Sequence, residues 1–146
     1  MDPRVPPNNP KAEAAVLGAC LVDGTRLREV SAILTASDFY RPAHGIIFKT
    51  MLDIDGRGMP VDLVTVSSAL TESKALQDYG GMEILTEAIS ETQYAGNADH
   101  YADIVRRDSL KRRVQRIGRQ LAECVHDEEF DAKFSSQKQQ LVMLEL

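Results

Sequence analysis

From Asn97 to Val125 the chain sustains a helical pattern, and that pattern carries two apolar stripes on opposite sides. Tyr101, Ile104 and Val105 share one face. Leu110, Val114, Ile117, Leu121 and Val125 share another, roughly 180° around the helix. A helix buried in one domain throughout keeps one apolar side. The switch near Asp108 therefore predicts a helix that leaves its own globule and meets something else on the reverse face.

The end of the chain supplies that partner. Residues 126–129 read as a polar turn. Phe130, Phe134, Leu141 and Leu144 then recur at near-heptad spacing, with Gln137 in one slot. The two stripes predict an antiparallel helical hairpin over residues 106–146. Two helices alone bury little, so self-association is expected there. Leu110, Val114, Ile117, Leu121, Phe130, Phe134, Leu141 and Leu144 are the expected interface.

Upstream, residues 1–9 hold three prolines and two asparagines and read as a flexible arm. Asn9-Pro10 then starts a helix, with Asn as cap and Pro in the first turn, ending at Asp23-Gly24. A second helix is expected over 25–34 and a third over 42–55, where His44, Ile47, Phe48, Met51 and Leu52 form one face. Asp62 caps a fourth, with Val61 and Val66 placed as a hydrophobic staple and Leu63, Val66 and Leu70 expected inward. Gly80-Gly81 suits a tight turn before a fifth, and Asn97 is the expected cap of the long sixth. No stretch alternates as a half-buried strand would. The expected fold is all-α: a globule of about five helices over 10–105, then the long helix and its hairpin over 106–146.

Chemistry is sparse. There is no phosphate-cradling P-loop, no dinucleotide fingerprint and no Cys-x-x-Cys or HExxH pattern. Cys124 and His126 stand two apart, which on one helix turns their side chains away from each other. No metal, cofactor or catalytic residue is expected in this chain. Cys20 and Cys124 read as small core-filling residues, and His44 as a hydrogen-bonded histidine at the core edge. No apolar run approaches the ~20 residues of a membrane span, and the first seven residues lack a signal-peptide core. A soluble, cytoplasmic protein is expected.

Charge is unevenly spread. Residues 1–97 hold 8 Lys/Arg against 13 Asp/Glu, and 98–146 hold 9 of each. Seven basic residues crowd into 106–119, where Arg112, Arg116 and Arg119 make a ridge opposite the Leu110–Leu121 stripe. A solvated helix face is its first reading, and a charged docking ridge for an acidic protein the second. Nucleic-acid phosphates come third, because no aromatic stacking group lies in 106–119.

Several pieces, in order, resemble the N-terminal domain of DnaB-type replicative DNA helicases. They are Pro7-Asn8-Asn9-Pro10-Lys11-Ala12-Glu13-Ala14-Ala15-Val16-Leu17-Gly18 and Asp38-Phe39-Tyr40 followed by His44-Gly45-Ile46-Ile47-Phe48. Then come Gly58-Met59-Pro60-Val61-Asp62-Leu63-Val64-Thr65-Val66, Gly80-Gly81 and Asn97-Ala98-Asp99-His100-Tyr101-Ala102-Asp103-Ile104-Val105. The resemblance implies a non-catalytic collar domain that mediates subunit assembly, as a dimer or a trimer of dimers in a hexamer. It also implies docking of the primase C-terminal domain and of a helicase loader, with little or no DNA contact by this domain. ATP and Mg would belong to a separate ATPase domain of the parent helicase. Two other classes stay open: a stand-alone adaptor or inhibitor that imitates the collar, and a nucleic-acid-binding helical module.

Overall fold

The computed structural model describes residues 5–144, which form seven α-helices with no strand among them. α1 (Pro10–Val22) starts where the sequence says it should. Asn9 Oδ1 accepts from the Ala12 amide at 3.0 Å and Pro10 occupies the first turn. Every residue from Ala12 to Leu21 is buried, so the middle of α1 has no solvent face, and α3 (Pro42–Gly56) and α5 (Glu83–Glu91) pack against it. Its main neighbour is α5. A methyl group on Gly18 would sit 2.1 Å from both Ala88 O and Thr92 Oγ1, so only glycine allows this approach. The Thr92 hydroxyl lies 3.1 Å from Ala15 O and 3.0 Å from Ala88 O and can donate across the two helices.

α2 (Leu27–Ser31) is shorter than the pattern predicts. A 3₁₀ turn over Gly24–Arg26 precedes it. Asp23 explains this, because its carboxylate accepts from the Thr25 amide and hydroxyl and from Arg26 Nε. These bonds offer the backbone an alternative to the helix, and they hold the Asp23 carboxyl below its ordinary range, the Thr25 hydroxyl contributing most.

α3 (Pro42–Gly56) buries Ala43, His44, Ile47, Phe48, Met51 and Ile54. Its cap residue Arg41 offers no side-chain cap. A carboxylate from α1 serves instead. Glu13, itself buried, accepts from the Tyr40 amide (2.8 Å), the Arg41 amide (3.3 Å) and His44 Nδ1 (2.9 Å). The expected hydrogen bond of His44 is therefore present, but inside the core rather than at its edge.

α4 (Leu63–Ser73) has the expected cap. Asp62 Oδ1 accepts from the Thr65 amide and Thr65 Oγ1 from the Asp62 amide, a closed capping box. Val61, Val66 and Leu70 are buried. Leu63 was expected inward and is instead exposed, as the first helical residue. Gly80 and Gly81, with φ of 93° and 74°, supply the left-handed turn before α5.

α6 (Ala98–Cys124) is the long helix, and α7 (Phe130–Met143) closes the described chain. Asn8–Arg107 pack as one compact unit; residues 5–7 and 108–144 belong to a second. In the first unit the buried residues of α6 are Ala98, Ala102 and Val105. Tyr101 is half-buried against this core, and Ile104, expected to be core, is exposed. Part of the expected arm, residues 1–4, lies outside the described residues. Pro7 O accepts from Arg112 and Asn9 caps α1, so the segment is anchored at both points.

The Cys20 thiol, packed in the core, is pushed up to about 12, chiefly by burial. It acts as a small apolar residue.

Glu13 should be the costliest polar residue of the globule to remove. Glu13→Ala leaves two backbone amides and an imidazole without their shared acceptor and should cost about 3–5 kcal/mol in denaturant unfolding. A loss under ~1 kcal/mol would mean the capping carboxylate contributes little.

Candidate protein-interaction surface

Two helices that touch along one side leave their outer faces to water, and the second unit shows how much apolar surface remains there. Its buried residues on α6 are Ser109, Ile117 and Cys124. Leu121, Gln120 and Gln137 are half-buried, and Leu144, just past α7, is half-buried too. α7 has no buried residue.

The expected hairpin seam is thus only partly closed within the chain. Ile117 is buried and Leu121 half-buried. Leu110, Val114, Phe130, Phe134 and Leu141 remain 40–47% exposed. Phe130 and Phe134 stack on each other, ring centroids 5.6 Å apart. The reversal of the apolar side along α6 is also smaller than expected. At about 100° per residue, the centre of Ala98, Ala102 and Val105 and that of Ser109, Ile117 and Cys124 differ by about 60°, well under half a turn. The discrepancy comes from side-chain size. The large residues suggested the stripes, whereas several of the buried positions hold alanine, serine or cysteine.

The basic ridge is divided as well. Arg112 is half-buried, and its guanidinium donates to Pro7 O at 2.8 Å. Arg116 and Arg119 are exposed. Two ridge residues therefore face solvent while the third ties down the N-terminal segment.

Asp127, inside the expected polar turn over 126–129, builds the connection between the helices. Asp127 Oδ1 accepts from the Glu129 amide at 2.8 Å and Oδ2 from Lys133 Nζ. An aspartate two to three residues before a helix is a readable signal for such a turn. These bonds hold the Asp127 carboxyl below its ordinary range, Lys133 first and the Glu129 amide second, and the same contact raises Lys133. Near the turn, Gln120, Glu123, Cys124, Asp127, Lys133 and Gln137 line a cavity of about 300 Å³. Among the described residues no group of three or more His, Cys, Asp or Glu is placed to share a metal ion.

Comparison with known proteins gives one consistent result. Residues 5–107 match the family model described as DnaB-like helicase N terminal domain. The chain is similar to the replicative DNA helicase DnaB of Geobacillus stearothermophilus, 43% identical over 120 residues, covering 82% of this chain and 26% of that protein. It therefore spans about a quarter of that relative's length. Its fold is similar to the crystal structure of the N-terminal domain of DnaB helicase from Mycobacterium tuberculosis. There the TM-score is 0.88 at 32% identity, over 96% of this chain and 99% of that one. It is also similar to part of a DnaB-like replicative helicase whose structure was described with its interactions with primase. That match has a TM-score of 0.74 at 26% identity, over 93% of this chain and 31% of that one.

The Asp127 contacts make a signed prediction. A depressed carboxyl contributes stability above its unfolded value and loses it as pH falls through the folded value. Titration of the Asp127 side chain by carbon-detected NMR should give a midpoint below that of an ordinary aspartate, with the α7 amide shifts following it. A midpoint at or above the ordinary aspartate value would remove Asp127 from the turn.

Proposed function

Because the chain belongs to the DnaB-like helicase N-terminal domain family, we propose that it is the non-catalytic collar domain of a replicative DNA helicase. It organises subunits through residues 106–146 and docks primase or a helicase loader. The parent protein unwinds DNA with ATP and Mg in a separate ATPase domain. The collar holds the subunits in order and leaves that chemistry to the other domain.

The observation that carries this reading is the half-covered apolar stripe of Leu110, Val114, Phe130, Phe134 and Leu141. A row of large apolar side chains on one hairpin is a surface for a protein partner. Full burial of a large apolar side chain is worth about 1.5–3 kcal/mol, so completing a half-made burial gains about 1 kcal/mol each. Two copies contribute five each, so about ten such gains fall within the ~4–15 kcal/mol that association costs. Two isolated copies should therefore pair weakly, and a tethered ring of subunits should hold the same contacts firmly. Docking of primase is supported by the DnaB-like helicase whose structure was described with its interactions with primase.

The mass of the whole chain by sedimentation should rise with concentration. Val114→Asp changes an exposed residue, so the fold should persist while association weakens by at least about tenfold. Calorimetric titration with a bacterial primase C-terminal domain should show binding to the wild-type chain. A concentration-independent monomer, or a Val114→Asp variant that assembles like the wild type, would defeat the assembly role. Absence of primase binding would defeat the docking role.

A further inference from the structure

Two identical apolar stripes that meet across a two-fold axis use each other up. A self-complementary patch stops at a pair, and growth beyond two needs a second contact between unlike surfaces. That contact must lie away from the stripe and be present in every copy.

α6 carries one half of such a contact on its other side. Arg112, Arg116 and Arg119 make a ridge opposite the Leu110–Leu121 stripe, about 10 Å long at 1.5 Å per residue. Arg112 is engaged with Pro7 O. Arg116 and Arg119 are exposed and make no ion pair among the described residues. Glu123, one turn further on, ends the ridge.

α5 carries the other half. Leu85 and Ala88 take its core side, while Glu83, Glu87 and Glu91 follow at i, i+4 and i+8, a carboxylate row about 12 Å long. Glu83 and Glu87 are exposed and Glu91 is half-buried, and none makes an ion pair among the described residues. Lys11 and Arg41 line one cavity with Glu87 and Glu91 but form no ion pair with them. The row stands where acids outnumber bases, 13 to 8 over residues 1–97, and the ridge where basic residues crowd together.

We propose that Arg116 and Arg119 on α6 dock on Glu83 and Glu87 on α5 of a second copy, the head-to-tail contact that joins one stripe-paired dimer to the next. Row and ridge are of similar length and opposite sign, and a guanidinium fork donates to both oxygens of a carboxylate. Exposed ion pairs are individually weak, so this contact selects and orients the neighbour more than it tightens it. Ridge and stripe lie on opposite sides of α6, so one copy can use both at once. The dimer in this statement rests on the self-association proposed above; the contact of ridge with row does not.

The test uses the full 146-residue chain carrying Arg116→Lys and Arg119→Lys, which keep the charge and supply amines. A zero-length carbodiimide joins an amine to a carboxylate only where the two touch. With ¹⁵N-labelled and unlabelled chains mixed equally at low salt, mass spectrometry should find positions 116 and 119 joined to Glu83 or Glu87, with heavy-to-light links among them. Adding Val114→Asp should leave these links in place, so failure of the stripe and failure of the ridge give different results. In sedimentation of concentrated wild-type chain, species above dimer should appear. Arg116→Glu with Arg119→Glu should reduce them by at least about threefold, and an equal amount of chain carrying Glu83→Arg and Glu87→Arg should restore them. The proposal is overturned if no heavy-to-light link reaches α5, or if the charge-swapped mixture stays as depleted as the reversed chain. Duplex DNA that binds the wild type at low salt and is lost on ridge reversal, while reversal of the row changes no mass, would assign the ridge to nucleic acid instead.

Discussion

A helix buried on all sides must have every group on it satisfied by its neighbours, and α1 imposes that demand on the globule. Ten successive residues, Ala12 to Leu21, are shut away from water. Nine of them are apolar or glycine and need only shape. The tenth, Glu13, needs partners, and it takes three from one place: the Tyr40 and Arg41 amides and His44. Those groups lie at the start of α3, whose own cap residue cannot cap it. The buried charge and the uncapped helix end thus answer each other across 27 to 31 residues of chain. Neither is stable alone, since an unpaired buried carboxylate and orphan helix amides are each expensive. Together they fix where α3 begins relative to α1. The Gly18 approach to Ala88 and Thr92 fixes α5 on the same helix.

How much of this was legible depended on whether the controlling contact is local. The caps at Asn9 and Asp62, the Gly80-Gly81 turn and the extents of α1 and α3 all follow from residues within four positions of one another, and the structure holds them where the pattern put them. The Glu13 bridge is long-range, and an acidic residue in a first turn reads as ordinary dipole compensation. Leu63 and Ile104 fit an apolar period yet stay exposed. Periodicity states which side of a helix could be buried and is silent on which turns reach a neighbour. Along α6 the helix was placed correctly, but its buried side is marked by Ala98, Ala102 and Ser109. Small residues allow close approach and carry almost no hydropathy signal, so a reading weighted towards large side chains misjudged the angle.

The same contrast separates the two compact units. The family match ends at Arg107, where the first unit ends, while the Mycobacterium tuberculosis domain superposes over 96% of the chain. Sequence likeness to the Geobacillus stearothermophilus helicase runs over 120 residues and so continues into the second unit, though over less of the chain than likeness of fold. A core packed to crystal density accepts few side chains at each site, because one methylene too many or too few is felt. The globule has such a core, and its sequence is narrowly prescribed. Among its described residues the second unit buries only Ser109, Ile117 and Cys124. A half-open seam asks for apolar character at heptad spacing and little more, and many sequences meet that demand. Fold can persist there after sequence has drifted.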